Sequence, residues 1–124
     1  MISYTGVILD DMSKSKLIYR FGSLPPEWHL LCHHMTMNLG KAKHPELLGK
    51  EVTLKVISVA SDDKVIAVGV DTDLPSKNTI KHITVAVNPS NGGKPKHSND
   101  LGQWKPIIPF TISGTVKEVE FESN

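Results

Sequence analysis

The chain has 124 residues, of which 39% are hydrophobic and 22% charged, so neither a disordered chain nor a membrane protein is indicated. Lys and Arg number 14 against 13 Asp and Glu, which excludes a polycation that coats long duplex nucleic acid and confines any phosphate-binding surface to a local patch. One domain spanning residues 1–124 is expected, and the single cysteine, Cys32, excludes an internal disulfide and a cysteine-rich zinc module.

The N-terminal half predicts two strands separated by one short helix. Residues Ile2–Leu9 are rich in β-branched and aromatic side chains and form the first predicted strand. Good helix formers follow at Ser13–Phe21, with Ser13 as the N-cap of the helix. A strand is predicted at His29–Asn38, and a polar connection with one helical turn after Pro45 follows it.

The C-terminal half predicts a β-hairpin, two further strands and a long loop. Apolar and polar residues alternate along Glu51–Ala60, and a short polar turn connects this strand to the apolar run Val65–Val70. Strands are also predicted at Lys81–Asn88 and Phe110–Phe121, with the polar segment Ser90–Gln103 between them as a loop. About six strands and one or two short helices indicate a small, β-dominated α+β fold.

Two of the predicted strands share a motif of His, an apolar residue, Thr and a second apolar residue. The copies are His34-Met35-Thr36-Met37 and His82-Ile83-Thr84-Val85. Because residues i and i+2 of a strand point to the same face, each motif places an imidazole beside a hydroxyl. If the two strands are neighbours, both pairs meet in one cleft.

Cleavage of a phosphodiester needs this set of side chains. One imidazole removes a proton from the attacking oxygen and the other protonates the leaving oxygen, near neutral pH where histidine occupies both forms. The hydroxyls of Thr36 and Thr84 donate hydrogen bonds to the non-bridging oxygens as charge develops there. His34 and His82 are therefore the candidate acid–base pair, and which is the acid and which the base stays open.

Two alternatives use the same residues differently. The first is a zinc site, for which imidazoles are available at His29, His33, His34 and His44. However, His33 and His34 face opposite ways on a regular strand, and no carboxylate or thiolate completes a ligand set. No metal is therefore expected, and His33 is interpreted as structural. The second alternative is a β-domain whose His–Thr pairs are structural, or which binds a nucleotide without cleaving it.

The two motifs resemble those of the 2H phosphoesterase superfamily. Residues His34–Gly40 (HMTMNLG) and His82–Pro89 (HITVAVNP) match its His-hydrophobic-Thr-hydrophobic pattern without substitution. The superfamily includes RNA 2′,3′-cyclic phosphodiesterases, LigT-like proteins, viral 2′-5′ oligonucleotide phosphodiesterases and bacteriophage enzymes that degrade cyclic-oligonucleotide immune signals. The segment Gly93–Asn99 is similar to a loop after the second motif in the phage and RNA-repair-associated branch.

The resemblance implies a bilobal α+β fold with a pseudo-twofold repeat and a metal-independent phosphodiesterase without a cofactor. It implies His34 and His82 as catalytic residues, with Thr36 and Thr84 as phosphate ligands. The expected substrate is a small nucleotide or an RNA end that carries a 2′,3′-cyclic phosphate, a 2′-5′ linkage or a cyclic oligonucleotide. With no secretory signal at the N-terminus, a cytoplasmic location is expected, the host cytoplasm if a phage encodes the chain. The natural substrate and the oligomeric state stay open.

Further substrate contacts are predicted around the two motifs. Tyr4 begins the first strand and is expected to point to the cleft. Trp104 offers a ring for stacking on a base, although a core position is the alternative. In the long loop, Lys94 and Lys96 are predicted to supply positive charge for a second phosphate, and Ser98 and Asn99 to donate hydrogen bonds to a phosphate or a base. The alternative is that these four residues form an ordinary solvated loop.

Overall fold

Within residues 1–120, the part of the chain that the computed structural model describes, the regular structure consists mainly of one α-helix and six long strands. The strands are β1 (Tyr4–Leu9), β2 (His29–Leu30), β3 (His34–Leu39), β4 (Glu51–Ser61), β5 (Val65–Asp71), β6 (His82–Val87) and β7 (Lys105–Val119). The helix α1 (Asp11–Phe21) lies between β1 and β2, and short 3₁₀ helices lie at Pro45–Leu47, Pro89–Asn91 and Pro95–Asp100. Phe121, the last residue of the predicted C-terminal strand, lies outside the described residues.

The six long strands close into an antiparallel barrel. Their neighbour order is β1, β3, β6, β5, β4, β7 and back to β1, and every pairing is antiparallel. The two-residue β2 pairs with the end of β6, where His29 lies opposite Val87. Closure pairs each long strand on both sides and so removes the free sheet edges that promote aggregation.

Apolar alternation along the strands buries one face of the barrel wall. The fully buried side chains come from every long strand and from α1, and they form one cluster that includes Val7, Leu17, Met35, Leu54, Val68, Ile83 and Ile112. Burial of these side chains is the main source of stability in a domain of this size.

The N-cap of α1 lies three residues earlier than the sequence predicts. Asp10 is its N-cap, because the Asp10 carboxylate accepts a hydrogen bond from the backbone N–H of Ser13 at 2.8 Å. Ser13, the predicted N-cap, is buried, and its hydroxyl accepts the N–H of Ser113 in β7 at 2.7 Å. The Ser13 side chain therefore attaches the helix to the barrel.

The predicted strand His29–Asn38 is interrupted. Cys32 has a left-handed backbone with φ of 48°, and the register with β6 changes between Leu30 in β2 and Met35 in β3. The Cys32 side chain is fully buried in the core. The chain therefore bends inward at Cys32, and strand alternation starts afresh at His34.

The small, β-dominated α+β fold is confirmed. The predicted loop Ser90–Gln103 contains a 3₁₀ helix, and β7 begins at Lys105 rather than Phe110. The bilobal shape and the pseudo-twofold repeat stay predictions. Among the helices within residues 1–120, none has the length and apolar character that crossing a membrane requires.

Candidate active site

The antiparallel pairing of β3 with β6 brings the two His-x-Thr motifs side by side. The pair at the centre of this register is Met35 and Ile83, whose side chains are both fully buried in the core. On either side of that pair, a histidine of one strand lies opposite a threonine of the other. The four polar residues are therefore neighbours on the face away from the core: His34, Thr36, His82 and Thr84.

A cavity of about 630 Å³ lies on this face. Both histidines and both threonines of the motifs line it. Of the other predicted contacts, Tyr4, Lys96 and Asn99 line it as well. The remaining lining residues are Leu31, His33, Leu39, Lys77, Asn78, Pro95 and Val119. A cavity of this size, mostly apolar with a few convergent polar groups, is typical of a small-molecule site.

His82 is held by the connection that precedes its strand and by a tryptophan beside it. Its Nδ1 donates to the carbonyl of Ile80 at 2.7 Å, and the centroid of the Trp104 ring lies 6.1 Å from that of His82. Because a carbonyl only accepts, Nδ1 carries a proton and Nε2 is the nitrogen available to a ligand. Burial lowers the pKa of His82, an effect that the Ile80 carbonyl opposes and the Lys77 ammonium reinforces.

His34 lies between an aromatic ring and a hydroxyl. Tyr4 stacks on it with ring centroids 4.4 Å apart, and the Tyr4 hydroxyl lies 3.3 Å from Nδ1 of His34. The other ring nitrogen, Nε2, lies 3.1 Å from Oγ1 of Thr36. Burial, together with repulsion from His33 and His82, lowers the pKa of His34 to about 4. His34 is therefore a neutral imidazole at pH 7, able to accept a proton.

Three of the predicted substrate contacts do not line the cavity. Ser98 is buried and its Oγ lies 2.8 Å from Oγ1 of Thr84, so it orients that threonine from behind. Trp104 donates its indole N–H to the carbonyl of Leu101 at 3.2 Å and lies beside His82. The Lys94 side chain is exposed. The geometry gives no support to direct substrate contacts by Lys94, Ser98 or Trp104.

The sequence patterns missed Lys77 and Asn78, which line the cavity. They lie in the connection between β5 and β6, which two hydrogen bonds attach to β3. The N–H of Lys77 donates to the carbonyl of Met37 at 2.8 Å, and the hydroxyl of Ser76 donates to the carbonyl of Thr36 at 3.0 Å. A lysine in a polar connection is normally solvated, so no sequence signal distinguishes Lys77.

The predicted orientation of His33, away from His34, is wrong. Because the strand is interrupted at Cys32, strand alternation does not extend to His33, which lines the same cavity as His34. Nδ1 of His33 lies 3.0 Å from Nδ1 of His34, and the two rings meet edge to face. The candidate site therefore contains three histidines.

Of the four histidines considered as zinc ligands, His33 and His34 meet in the cavity, but His29 and His44 do not join them. His29 on β2 is exposed, and His44 contacts Glu46 at 3.5 Å instead of lining the cavity. Cys32 is buried in the core, where desolvation raises the pKa of its thiol to about 11. Within residues 1–120, no three His, Cys, Asp or Glu side chains are grouped as ligands for a metal ion.

A scan against protein-family models matches residues 18–124 to the fungal tRNA ligase phosphodiesterase domain. The matched range includes both His-x-Thr motifs, and it begins within α1, so β1 with Tyr4 lies outside it. No curated protein and no solved structure matches the chain.

Proposed function

Because the chain belongs to the fungal tRNA ligase phosphodiesterase domain family, within the 2H phosphoesterase superfamily, we propose that it hydrolyses a 2′,3′-cyclic phosphate at an RNA end or on a small nucleotide. The observation that carries this proposal is the β3–β6 register, which faces two His–Thr pairs toward one cavity. The 2′-5′ linkages and cyclic oligonucleotides of the LigT-like and phage branch are the other substrates to test.

The two histidines differ in a way that favours one assignment of roles. His34, with a pKa of about 4, is unprotonated and serves as the base. Burial lowers the pKa of His82, but its Nδ1–H donates to a carbonyl, a contact that stabilises the imidazolium, and a bound phosphate anion stabilises the imidazolium as well. His82 therefore carries the proton in the complex and serves as the acid.

Hydrolysis is then a single balanced displacement. The oxygen of a water molecule forms a bond to phosphorus while its proton moves to Nε2 of His34. The bond from phosphorus to one ribose oxygen breaks, and that oxygen receives the proton from Nε2 of His82. The products are a phosphomonoester and a free ribose hydroxyl. Solvent then removes the proton from His34 and returns one to His82.

The hydroxyls and ammonium groups of the cavity bind the charged phosphate. Thr36 and Thr84 donate hydrogen bonds to the non-bridging oxygens, where charge grows in the transition state. Ser98 keeps the Thr84 hydroxyl in place through the 2.8 Å contact. Lys77 and Lys96 line the same cavity and supply positive charge for this phosphate or for the next one along an RNA chain.

The test is product analysis of a substrate panel by ³¹P NMR and mass spectrometry, run in parallel with and without EDTA. The panel contains nucleoside 2′,3′-cyclic phosphates, short RNAs with a terminal cyclic phosphate, 2′-5′ linked oligonucleotides and cyclic oligonucleotides. We expect a phosphomonoester from the nucleoside cyclic phosphates and from the RNAs with a terminal cyclic phosphate. We expect His82→Ala to abolish that product. His29→Ala, at an exposed histidine outside the cavity, is the matched control and keeps the wild-type rate.

The other outcomes assign the chain to another class. If only 2′-5′ linked or cyclic oligonucleotides are cleaved, the proposed substrate is wrong and the two-histidine mechanism stands. Binding of a nucleotide without any turnover identifies a binding module that sequesters it. Absence of both binding and turnover identifies a structural β-domain. Loss of activity on chelation, restored by zinc, overturns the metal-independent mechanism.

A further inference from the structure

The contact between His33 and His34 limits where their protons are. The two Nδ1 atoms lie 3.0 Å apart, a hydrogen-bonding distance. Two bare nitrogens have no proton to share, and two protonated nitrogens repel, so one of the two Nδ1 atoms carries a proton and the other accepts it.

A second contact indicates which nitrogen carries the proton. Nδ1 of His34 also lies 3.3 Å from the Tyr4 hydroxyl. A proton on Nδ1 of His34 can be shared between Nδ1 of His33 and the Tyr4 oxygen, and it leaves Nε2 unprotonated, so that Nε2 accepts the Thr36 hydroxyl at 3.1 Å. With the proton on Nδ1 of His34, all three contacts of the ring are hydrogen bonds.

We propose that His33 is a positioning residue, whose Nδ1 accepts the Nδ1–H of His34 and thereby keeps Nε2 of His34 unprotonated. The proposal rests on the function proposed above, in which Nε2 of His34 takes the proton from water. His82 is held in the same tautomer by the Ile80 carbonyl. Both catalytic rings thus have Nδ1 bound to an acceptor, and when His34 becomes an imidazolium its bond to His33 strengthens.

The charged and titratable groups around this pair favour two neutral rings at pH 7. His34 faces Tyr4 from β1, His33 from the bend, and His82 from β6. His33 is influenced by Lys14 of α1, and burial together with this lysine lowers the pKa of His33. A neutral His33 offers a bare Nδ1 as the acceptor when its own proton is on Nε2.

The direct test is the tautomer of His34, read from ¹⁵N-histidine NMR spectra without substrate. The proposal expects the Nδ1–H tautomer in the wild type and a shift toward Nε2–H in His33→Leu. In His33→Asn the amide oxygen reaches the position of Nδ1 and restores the Nδ1–H tautomer. The exposed His29, mutated to Leu, is the matched control and leaves the His34 spectrum unchanged.

Kinetics on a 2′,3′-cyclic phosphate provide the second measurement. We expect His33→Leu to lower kcat about tenfold with little change in KM, and His33→Asn to recover most of that loss, because the base itself contributes more, about 10² to 10⁴. An Nε2–H tautomer of His34 in the wild type overturns the proposal. So does a His33→Leu variant with wild-type tautomer and kcat. If His33→Leu does not fold, the wild-type spectrum alone decides, and it does so even if the chain proves to have no phosphodiesterase activity.

Discussion

The protein should lose stability in mild acid because His34 is buried as a neutral imidazole. Its pKa of about 4 in the folded chain compares with an ordinary value of about 6.5 in the unfolded chain. Below the unfolded value, the unfolded state binds a proton that the folded state does not, so the free energy of unfolding falls with pH. A pKa difference of one unit between the folded and unfolded states corresponds to about 1.4 kcal/mol. The protonation of His34 therefore reduces the free energy of unfolding by about 2 kcal/mol at pH 5 and by about 3 kcal/mol below pH 4.

The variant that isolates this contribution is His34→Gln, which keeps a polar side chain but does not titrate. Urea unfolding at about pH 7.5 and about pH 5 gives the free energy of unfolding of each form. The wild type should lose about 2 kcal/mol more than His34→Gln between these two conditions. His29→Gln, at an exposed histidine, is the control and should lose as much as the wild type.

His33 and His82 also contribute to the decrease in the wild type's free energy of unfolding with falling pH. Burial lowers the pKa of His33 and of His82, so both resist protonation in the folded state and steepen the loss below pH 6.5. The comparison between wild type and His34→Gln removes most of this shared background. Equal losses in the two forms would refute the inference that His34 is held neutral, and with it the assignment of His34 as the base.

Three further substitutions test a residue that lines the cavity, a residue that orients Thr84, and the packing of β1 against β3. In steady-state kinetics, Lys96→Gln should raise KM for a cyclic-phosphate RNA about fivefold, equivalent to about 1 kcal/mol. Lys94→Gln, outside the cavity, should leave KM unchanged, and equal effects of the two substitutions would argue against a substrate contact by Lys96. Ser98→Ala should lower kcat by up to about tenfold without unfolding the protein, because the Thr84 hydroxyl loses its hydrogen-bond partner. An unchanged kcat would show that Ser98 does not orient Thr84 for catalysis. Gly6→Ala should reduce the free energy of unfolding by about 1–3 kcal/mol, because a Cβ there meets a carbonyl oxygen of β3 at 2.6 Å; an unchanged thermal melt would contradict the β1–β3 packing.

The central arrangement of the site follows from strand periodicity. A period of two places His34 with Thr36 and His82 with Thr84, and that prediction depends only on each segment being a strand. The pairing of these two strands with each other is a property of the closed barrel, which is built from contacts between residues far apart in the chain. The sequence motifs therefore indicate which residues meet, and the register explains how.

The features that sequence patterns missed arise where the chain departs from regular alternation. A regular strand predicts that His33 faces away from His34, but the left-handed Cys32 breaks that strand. Lys77 reaches the cavity because hydrogen bonds attach its connection to β3, a contact between distant parts of the chain. Ser98 has the polar character expected of a loop residue but is buried behind Thr84.

The most direct test of the account is a double-mutant cycle on His34 and His82, with kcat measured on a 2′,3′-cyclic phosphate and folding checked by circular dichroism. Each single Ala variant should lower kcat by roughly 10² to 10⁴, the usual contribution of one acid or base. Because the two residues act as a unit, the double variant should lose far less than the product of the single effects. Folded His34→Ala and His82→Ala variants that both turn over at the wild-type rate would contradict two-histidine catalysis.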